Sequence, residues 1–138
     1  MSDATVAVIR AMNDAFNARR YEEMMELWAP DADFTDHLPL PDVPAKLRGH
    51  EQMTSVLERW NEGFKVFEGD VEEYVDLGDY VVAVTSWRFV STDEGIETRW
   101  RGAEAWQVRD GRVVWGQTGF LDRRAALEAV AERRRAPG

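Results

Sequence analysis

The sequence contains no cysteine and only two histidines. The lack of cysteine excludes a disulfide framework, a thiol nucleophile and a thiolate metal site, and it leaves the redox compartment open. No H-E-x-x-H pair occurs, which disfavours a transition-metal site. The chain also has no G-x-S-x-G nucleophile elbow and no glycine-rich phosphate loop. We therefore expect a protein that uses no metal and no other cofactor.

Positive charge and long hydrophobic runs are also scarce. The chain has 17 lysines and arginines against 26 aspartates and glutamates, a net charge of −9 that disfavours binding to nucleic acid. The one basic run, Arg133 to Arg135, is expected to complement the carbonyl end of a last helix. No apolar run approaches bilayer length, and Met1-Ser2-Asp3 lacks the positive start of a signal peptide. We expect a soluble, cytoplasmic protein that binds no membrane.

Helical periodicity is clear in three stretches of the chain. Apolar residues recur at helical spacing over about 3–18, 21–28 and 49–64, and Pro30 is expected to stop the second helix. A fourth helix is predicted to begin after Asp122, whose side chain can cap it. The third stretch has the cleanest stripe, and its apolar face needs a sheet to pack against. That stripe consists of Met53, Val56, Leu57 and Trp60.

Four β-rich runs provide this sheet, at about 65–75, 80–90, 97–109 and 112–121. Turn signals separate them, of which Asp110-Gly111 is the strongest, and consecutive hairpins favour an antiparallel meander. With a short strand after the second helix, the order is α-α-β-α-β-β-β-β-α. This order predicts one α+β domain over residues 1–138, in which a curved antiparallel sheet wraps around helices as a cone with an internal pocket. The proline-rich loop 37–48 is either a wall or lid of that pocket or a surface loop packed on the core.

The short strand carries the first candidate site residue. Asp36 is in phase with Ala32 and Phe34, so its carboxylate is predicted to point toward the interior. It is either a pocket group or a strand-end carboxylate that accepts backbone N–H bonds from the next loop. His37 follows it, and is either a second base or donor or a histidine at the sheet edge. His50, at a helix entry, is interpreted as structural.

The third strand of the meander carries the second candidate. Strand alternation places Glu104 on the apolar face with Trp100 and Trp106, where desolvation raises the pKa of a carboxyl that has no cation nearby. The alternative is a core glutamate paired with Arg88 or His37. We expect the Asp36 and Glu104 carboxyls on facing walls of one cavity.

Aromatic residues are predicted to serve two surfaces. Trp87, Phe89 and Trp115 are assigned to the outer sheet face, which then looks too apolar to stay exposed and predicts a homodimer. The other aromatic and apolar side chains of interest are predicted to line a pocket for a small apolar ligand or substrate. They are Met12, Phe16, Phe34, Trp60, Trp100, Trp106 and Phe120.

Several strings, in this order, resemble the SnoaL-like and ketosteroid isomerase-like branch of the nuclear transport factor 2 (NTF2) superfamily. The resemblance covers nearly the whole chain and implies the cystatin-like, NTF2-like cone, a fold shared by enzymes, binding proteins and assembly modules. The strings are Trp28-Ala29-Pro30-Asp31-Ala32-Asp33-Phe34, Arg48-Gly49-His50-Glu51, Arg109-Asp110-Gly111-Arg112-Val113 and Phe120-Leu121-Asp122.

The resemblance also implies roles for the two acids. Asp36 occupies the place of the general base, and Glu104 that of a protonated acid which donates a hydrogen bond to an enolate; Met12 stands where the isomerases have a tyrosine. It implies an isomerase- or polyketide-cyclase-like enzyme that transfers protons on an apolar carbonyl compound. The alternative is a non-catalytic ligand-binding or dimerisation module in which both acids are structural.

Overall fold

The computed structural model describes residues 2–38 and 43–136 of the chain. Mostly short turns connect the helices and strands, and this part of the chain contains six strands. In chain order the elements are α1 (Ser2–Asn17), α2 (Tyr21–Glu26), β1 (Trp28–Asp36), β2 (Lys46–Arg48), α3 (Gly49–Gly63), β3 (Phe64–Asp76), β4 (Tyr80–Ser91), β5 (Glu97–Arg109), β6 (Arg112–Phe120) and α4 (Arg123–Arg135).

The strands form one sheet in the order β2-β1-β6-β5-β4-β3. The predicted meander is confirmed, since β3, β4, β5 and β6 pair antiparallel in succession. The sheet is nevertheless mixed, because β1 joins β6 in parallel, and the sequence analysis missed the three-residue strand β2. This architecture is the predicted α+β fold, a curved open sheet with four helices.

The boundary between α2 and β1 differs from the prediction. The helix ends at Glu26, and Trp28, predicted as its last apolar residue, begins the strand. Pro30 lies inside β1, where the pairing with β6 shifts register between Trp28 and Asp33. A proline donates no N–H to the ladder, and such an irregularity is where a sheet tolerates one. Helical spacing alone did not show whether Trp28 ends the helix or begins the strand, because an apolar residue that is buried, as Trp28 is, fits both positions.

The inner face of the sheet holds the main core. The stripe of α3 is buried there against β1 and the centre of the sheet, which confirms its predicted packing. Helices α1 and α2 complete this layer. On the opposite face, α4 covers a smaller cluster around Val82, Ala105 and Trp115. Asp122 caps α4 as predicted, because its Oδ1 accepts a hydrogen bond of 2.9 Å from the Ala125 N–H.

The predicted surface for a homodimer changes with this arrangement. Trp87 pairs with Trp100 and lies on the inner face, where it contacts Phe16, and Phe89 lies beside it. Trp115 does face outward, but α4 buries it, with the Arg133 guanidinium 5.0 Å from its ring. These aromatic side chains are therefore not an exposed patch, and the homodimer stays a prediction without their support.

Two further expectations concern the chain surface. Among the described helices, none is both long and apolar enough to traverse a bilayer. The predicted lid depends on Pro39, Leu40 and Pro41, which lie outside the described residues. Of the neighbouring positions, Leu38 lines the cavity described below, and Val43 packs against the inner core.

Candidate functional site

A cavity of about 280 Å³ lies between the inner sheet face and the helices. This volume is just below the range for small-molecule sites, about 300 to 1,000 Å³, and favours a compact ligand. The walls are apolar except at a few polar residues. Those polar residues are Asn13, Asp36, Thr98, Arg99, Glu104 and Thr118.

The cavity brings together most of the residues predicted to line it. Six of the seven predicted ligand contacts are in its lining, and so are both carboxylic acids. The six are Met12, Phe16, Phe34, Trp60, Trp100 and Trp106.

Phe120 and His37 are not in this lining. Phe120 pairs with Ala103 across a register shift of β6 against β5, so its ring packs with the outer cluster below α4. The His37 ring follows it, 4.7 Å from the Phe120 centroid, and its Nε2 lies 2.9 Å from Gln117 Oε1. The structure therefore contradicts the predicted place of Phe120 in the pocket, whereas His37 has the position of the sheet-edge histidine, one of its two predicted alternatives.

Glu104 is the most deeply buried acid of the site. Its side chain projects from β5 into the cavity, and the residue is 3% exposed. Burial raises the pKa of this carboxyl to about 8, while the Thr85 hydroxyl, which donates to Oε1 at 2.6 Å, and the Trp87 indole act in the opposite direction. At neutral pH the carboxyl is accordingly mainly protonated.

The predicted alternative for Glu104, an ion pair with Arg88 or His37, is wrong. The Arg88 guanidinium lies on the outer face with Glu68 and Glu97, at 3.7 and 2.5 Å. His37 bonds with Gln117 instead. Within the described residues Glu104 has no cationic partner, which is why its neutral form is favoured.

Asp36 ends β1 at the edge of the cavity and combines both of its predicted roles. It lines the cavity and is half-buried, yet its Oδ1 also accepts a 3.0 Å hydrogen bond from the Leu38 N–H. Gly119 lies directly beside this turn with φ +84°, and a Cβ there would come within 3.1 Å of Asp36 Oδ1. A glycine is needed here both for the backbone conformation and for this close approach.

The register of the sheet relates the two acids. Asp36 pairs with Thr118 of β6, and Glu104 faces the same irregular segment of β6 from the other side, between the pairs Ala103–Phe120 and Ala105–Gln117. Adjacent strands are about 4.8 Å apart, so the two backbones are separated by about 10 Å. The acids therefore lie on one sheet face, two strands apart, and not on facing walls. A small compound on this face can contact both.

Two polar atoms in the cavity lining are buried without a hydrogen-bond partner among the described residues. They are Glu104 Oε2, although the Trp87 indole is near enough to lower the pKa of this carboxyl, and the indole Nε1 of Trp60. Buried polar groups are nearly always paired in folded proteins, so such atoms require an explanation. A bound ligand is one, since both residues belong to the cavity lining.

Met12, at the position of the expected tyrosine, has a local role. Its Sδ accepts a hydrogen bond of 3.2 Å from the Trp28 indole N–H, and both residues are buried. Met12 therefore supplies packing and a weak acceptor and donates nothing to a ligand. His50 is structural as interpreted, because its Nε2 lies 2.6 Å from the Trp28 carbonyl oxygen and so joins α3 to β1.

The sequence analysis missed one consistent feature of this site, glycines that make room for tryptophans. Three cavity tryptophans lie directly against a glycine of the sheet, so that a side chain at the glycine would displace the ring. Aromatic residues recurring with glycines along the strands were the available signal. The pairs are Trp87 with Gly69, Trp100 with Gly102 and Trp106 with Gly116, where an added Cβ would lie 2.7, 2.1 and 2.3 Å from the ring.

No group of side chains suited to a metal ion occurs among the residues that the structure describes. The functional groups that the lining residues offer include one neutral carboxyl, one carboxyl at the edge of the cavity and an indole donor.

Comparison with known proteins identifies the fold and the family. The structure superposes on an NTF2-like protein of unknown function from Burkholderia pseudomallei with a TM-score of 0.74 and 17% identity, over 93% of this chain and 95% of that one. TerC, crystallised with polyporic acid, gives 0.75 and 18% over 94% and 98%. IdmH from Streptomyces antibioticus, a proposed polyketide cyclase, gives 0.70 and 24% over 82% and 88%.

At these identities the superpositions show the NTF2-like fold alone. No curated protein matches the sequence significantly. The SnoaL-like domain model matches residues 9–115, which is well over half of the chain. The protein therefore belongs to the SnoaL-like family, as the resemblance of its sequence motifs implied.

Proposed function

We propose that the protein is an acid/base enzyme that transfers a proton on a small apolar carbonyl compound. The observation that carries this proposal is the Glu104 carboxyl, which is 3% exposed, lines the same apolar cavity as Asp36 and has its pKa raised to about 8 by burial. A protonated carboxyl can donate a hydrogen bond to the oxygen of a developing enolate, as a buried acid does in ketosteroid isomerase.

The two acids have complementary roles in this proposal. Asp36, half-exposed at the strand end, removes a proton from the carbon next to the carbonyl. The negative charge moves to the carbonyl oxygen, where the Glu104 O–H donates a hydrogen bond to it. Return of the proton from Asp36 to a conjugated carbon completes an isomerisation. Replacement of that proton by one from solvent, followed by return to the original carbon, completes an exchange. Proteins of similar fold that are described as polyketide cyclases agree with a function of this kind.

The second candidate is a binding module without turnover. It is favoured by the hydrogen bond from the Leu38 N–H, which occupies Asp36 Oδ1, and by Met12, which supplies no donor to an oxyanion. In this case both carboxyls would serve to shape and close the cavity.

Deuterium exchange distinguishes the two candidates. The probe is 2-tetralone, a compact bicyclic ketone with acidic protons next to its carbonyl, followed by NMR in D2O. We expect the wild type to accelerate exchange and Asp36→Asn to abolish the acceleration while binding persists. Glu104→Gln, which keeps a donor, should lose much less than Glu104→Ala, for which loss of an oxyanion donor costs about a hundredfold to a thousandfold in rate.

Asp33→Asn is the matched control, since Asp33 lies on the same strand, is exposed and pairs with Arg48 at 3.9 Å outside the cavity. Equal exchange rates for the wild type and Asp36→Asn, with 2-tetralone bound, would leave the binding module as the remaining candidate.

A further inference from the structure

We propose that the ligand carries a second neutral oxygen, which accepts a hydrogen bond from the Trp60 indole N–H. The first oxygen is the carbonyl that faces Glu104, and for that part the inference rests on the proposed function. The ligand class is therefore a compact, uncharged ring compound with two oxygen functions, such as a ketone that also bears an ether or a second carbonyl group.

The indole of Trp60 is held in place but its N–H is not used. The residue is 8% exposed, and its ring lies 5.1 Å from the Phe67 ring and 6.2 Å from the Phe16 ring. Nε1 is buried without a partner among the described residues, and Trp60 is one of the residues that line the cavity. An indole N–H donates only, so the missing partner must be an acceptor.

The other tryptophan buried most deeply in the cavity lining gives the opposite picture. Trp28 is also buried, but its N–H donates to Met12 Sδ, so the protein itself satisfies it. The core therefore contains an acceptor for the buried Trp28 N–H, whereas the Trp60 N–H, where α3 faces the sheet, has none among the described residues.

The position of Trp60 requires an oxygen separate from the reacting carbonyl. Trp60 belongs to α3, on the helix side of the cavity, whereas Glu104 and Asp36 project from the sheet. A compound bound between these layers presents one polar group to the sheet and another to the helix. The two unpartnered polar atoms of the cavity, Glu104 Oε2 and Trp60 Nε1, are then satisfied by one molecule.

The charges of the site decide what kind of acceptor fits. A carboxylate or phosphate would meet a protein of net charge −9 and an apolar cavity that also contains Asp36. Arg99, the one cation among the described lining residues, belongs to the sheet side and lies 3.6 Å from Glu97, so an anion held at Trp60 on the helix side would be buried away from it, which is costly. A cation is excluded by the donor itself. A neutral ketone, ether or ester oxygen is what remains.

Binding of substituted tetralones tests this inference separately from turnover. The probes are 2-tetralone and its monomethoxy isomers, whose extra ether oxygen lies at different ring positions. Dissociation constants are measured by NMR titration for the wild type, for Trp60→Phe, which removes the N–H and keeps an aromatic ring, and for Trp115→Phe. Trp115 is equally buried but lies on the outer face, so it is the matched control.

We expect at least one methoxy isomer to bind the wild type about threefold to tenfold more tightly than 2-tetralone, the effect of one neutral hydrogen bond. Trp60→Phe should reduce this ratio to about one, whereas Trp115→Phe should retain it. Because each ratio compares two ligands on one protein, a general loss of affinity cancels. The same preference in Trp60→Phe as in the wild type, or no preferred isomer, would overturn the inference, as would failure of the whole series to bind.

A second measurement does not depend on the variant. The Trp60 indole N–H signal of the 15N-labelled wild type should move downfield with the preferred methoxy isomer and much less with 2-tetralone. If the signal responds equally to both, the second oxygen does not contact Trp60. If deuterium exchange is absent but the methoxy preference is present, the proposed function fails while this inference stands.

Discussion

Carboxyl groups on the two faces of the sheet at strand β5 differ in their charge. On the outer face, Arg101 pairs with Glu72 at 2.5 Å and Glu97 pairs with Arg88 of β4 at 2.5 Å, and all four side chains are at least 38% exposed. On the inner face, Glu104 is surrounded by tryptophans and has no cation among the described residues. The outer pairs keep their charges, and their carboxyl pKa values are lowered; the inner carboxyl becomes neutral instead. The same residue type, glutamate, is therefore charged on the outer face and neutral on the inner face, because the two environments differ.

The largest expected consequence is a dependence of stability on pH with opposite signs for the two faces. Glu104 has a folded pKa of about 8 against an ordinary 4.5, so the folded state holds more protons than the unfolded state between these values. Stability from this group is complete below pH 4.5 and is lost as the pH rises to 8, by about 5 kcal/mol in total. Glu72 and Glu97, with lowered pKa values, lose their contribution as the pH falls.

Urea unfolding from pH 5 to 9 measures this dependence, with Glu104→Gln as the comparison. The amide has no proton to exchange, so its stability should change much less over this range. If the free energy of unfolding changes with pH equally for the wild type and Glu104→Gln, then Glu104 titrates normally.

A charge added to the inner face should be nearly as costly. Ala83 pairs with Glu104, is 1% exposed and lines the cavity. Ala83→Asp is expected to be less stable at pH 7 than the isosteric Ala83→Asn by up to about 4 kcal/mol, the cost of protonating an ordinary aspartate at this pH. Thermal unfolding should show the two variants converging as the pH approaches 4; a constant difference would mean that shape, not charge, causes the loss.

The sequence was sufficient for the inner positions of β5 and for the element order apart from the short strand β2. Strand alternation correctly placed Glu104, Trp100 and Trp106 on one face. It misplaced Trp87, because the face of β4 depends on its register with β5, and a shift of one residue reverses every side chain. Phe120 was misplaced for a related reason, since the irregularity at Gly119 changes the phase of β6.

Other features of the site depend on distant contacts that the sequence does not display. The parallel pairing of β1 with β6 joins segments about eighty residues apart, and it alone brings Asp36 near Glu104. The unused N–H of Trp60 could not be predicted either, because whether an indole finds a partner depends on the packing of its neighbours. The three tryptophan–glycine contacts were the part of the site most open to prediction.

A smaller effect is expected where a glycine supports a cavity tryptophan. Gly116→Ala would place a Cβ 2.3 Å from the buried Trp106 ring, and such overpacking costs about 1–3 kcal/mol. Gly63→Ala is the control, because no atom lies within 4 Å of its added Cβ and its φ is not positive. Chemical denaturation should show a loss for Gly116→Ala and none for Gly63→Ala. Equal stability of both variants would contradict the close contact.

The smallest effect is expected on the outer face. Arg101→Ala removes one exposed ion pair with Glu72, and solvent and salt already weaken such a pair. The unfolding midpoint should therefore barely change, and any change should disappear in high salt. A loss as large as that of Ala83→Asp would show that the two faces do not differ as described.

The most direct test of the account is the titration of Glu104 itself. Carbon-13 NMR of the glutamate side-chain carboxyls, assigned with Glu104→Gln, follows the protonation of this group in the folded protein. The account predicts a midpoint of about 8, well above the exposed glutamates of the same sheet. A midpoint near 4.5 would mean that the inner face holds an ordinary carboxylate, and would contradict both the neutral donor and the chemistry proposed from it.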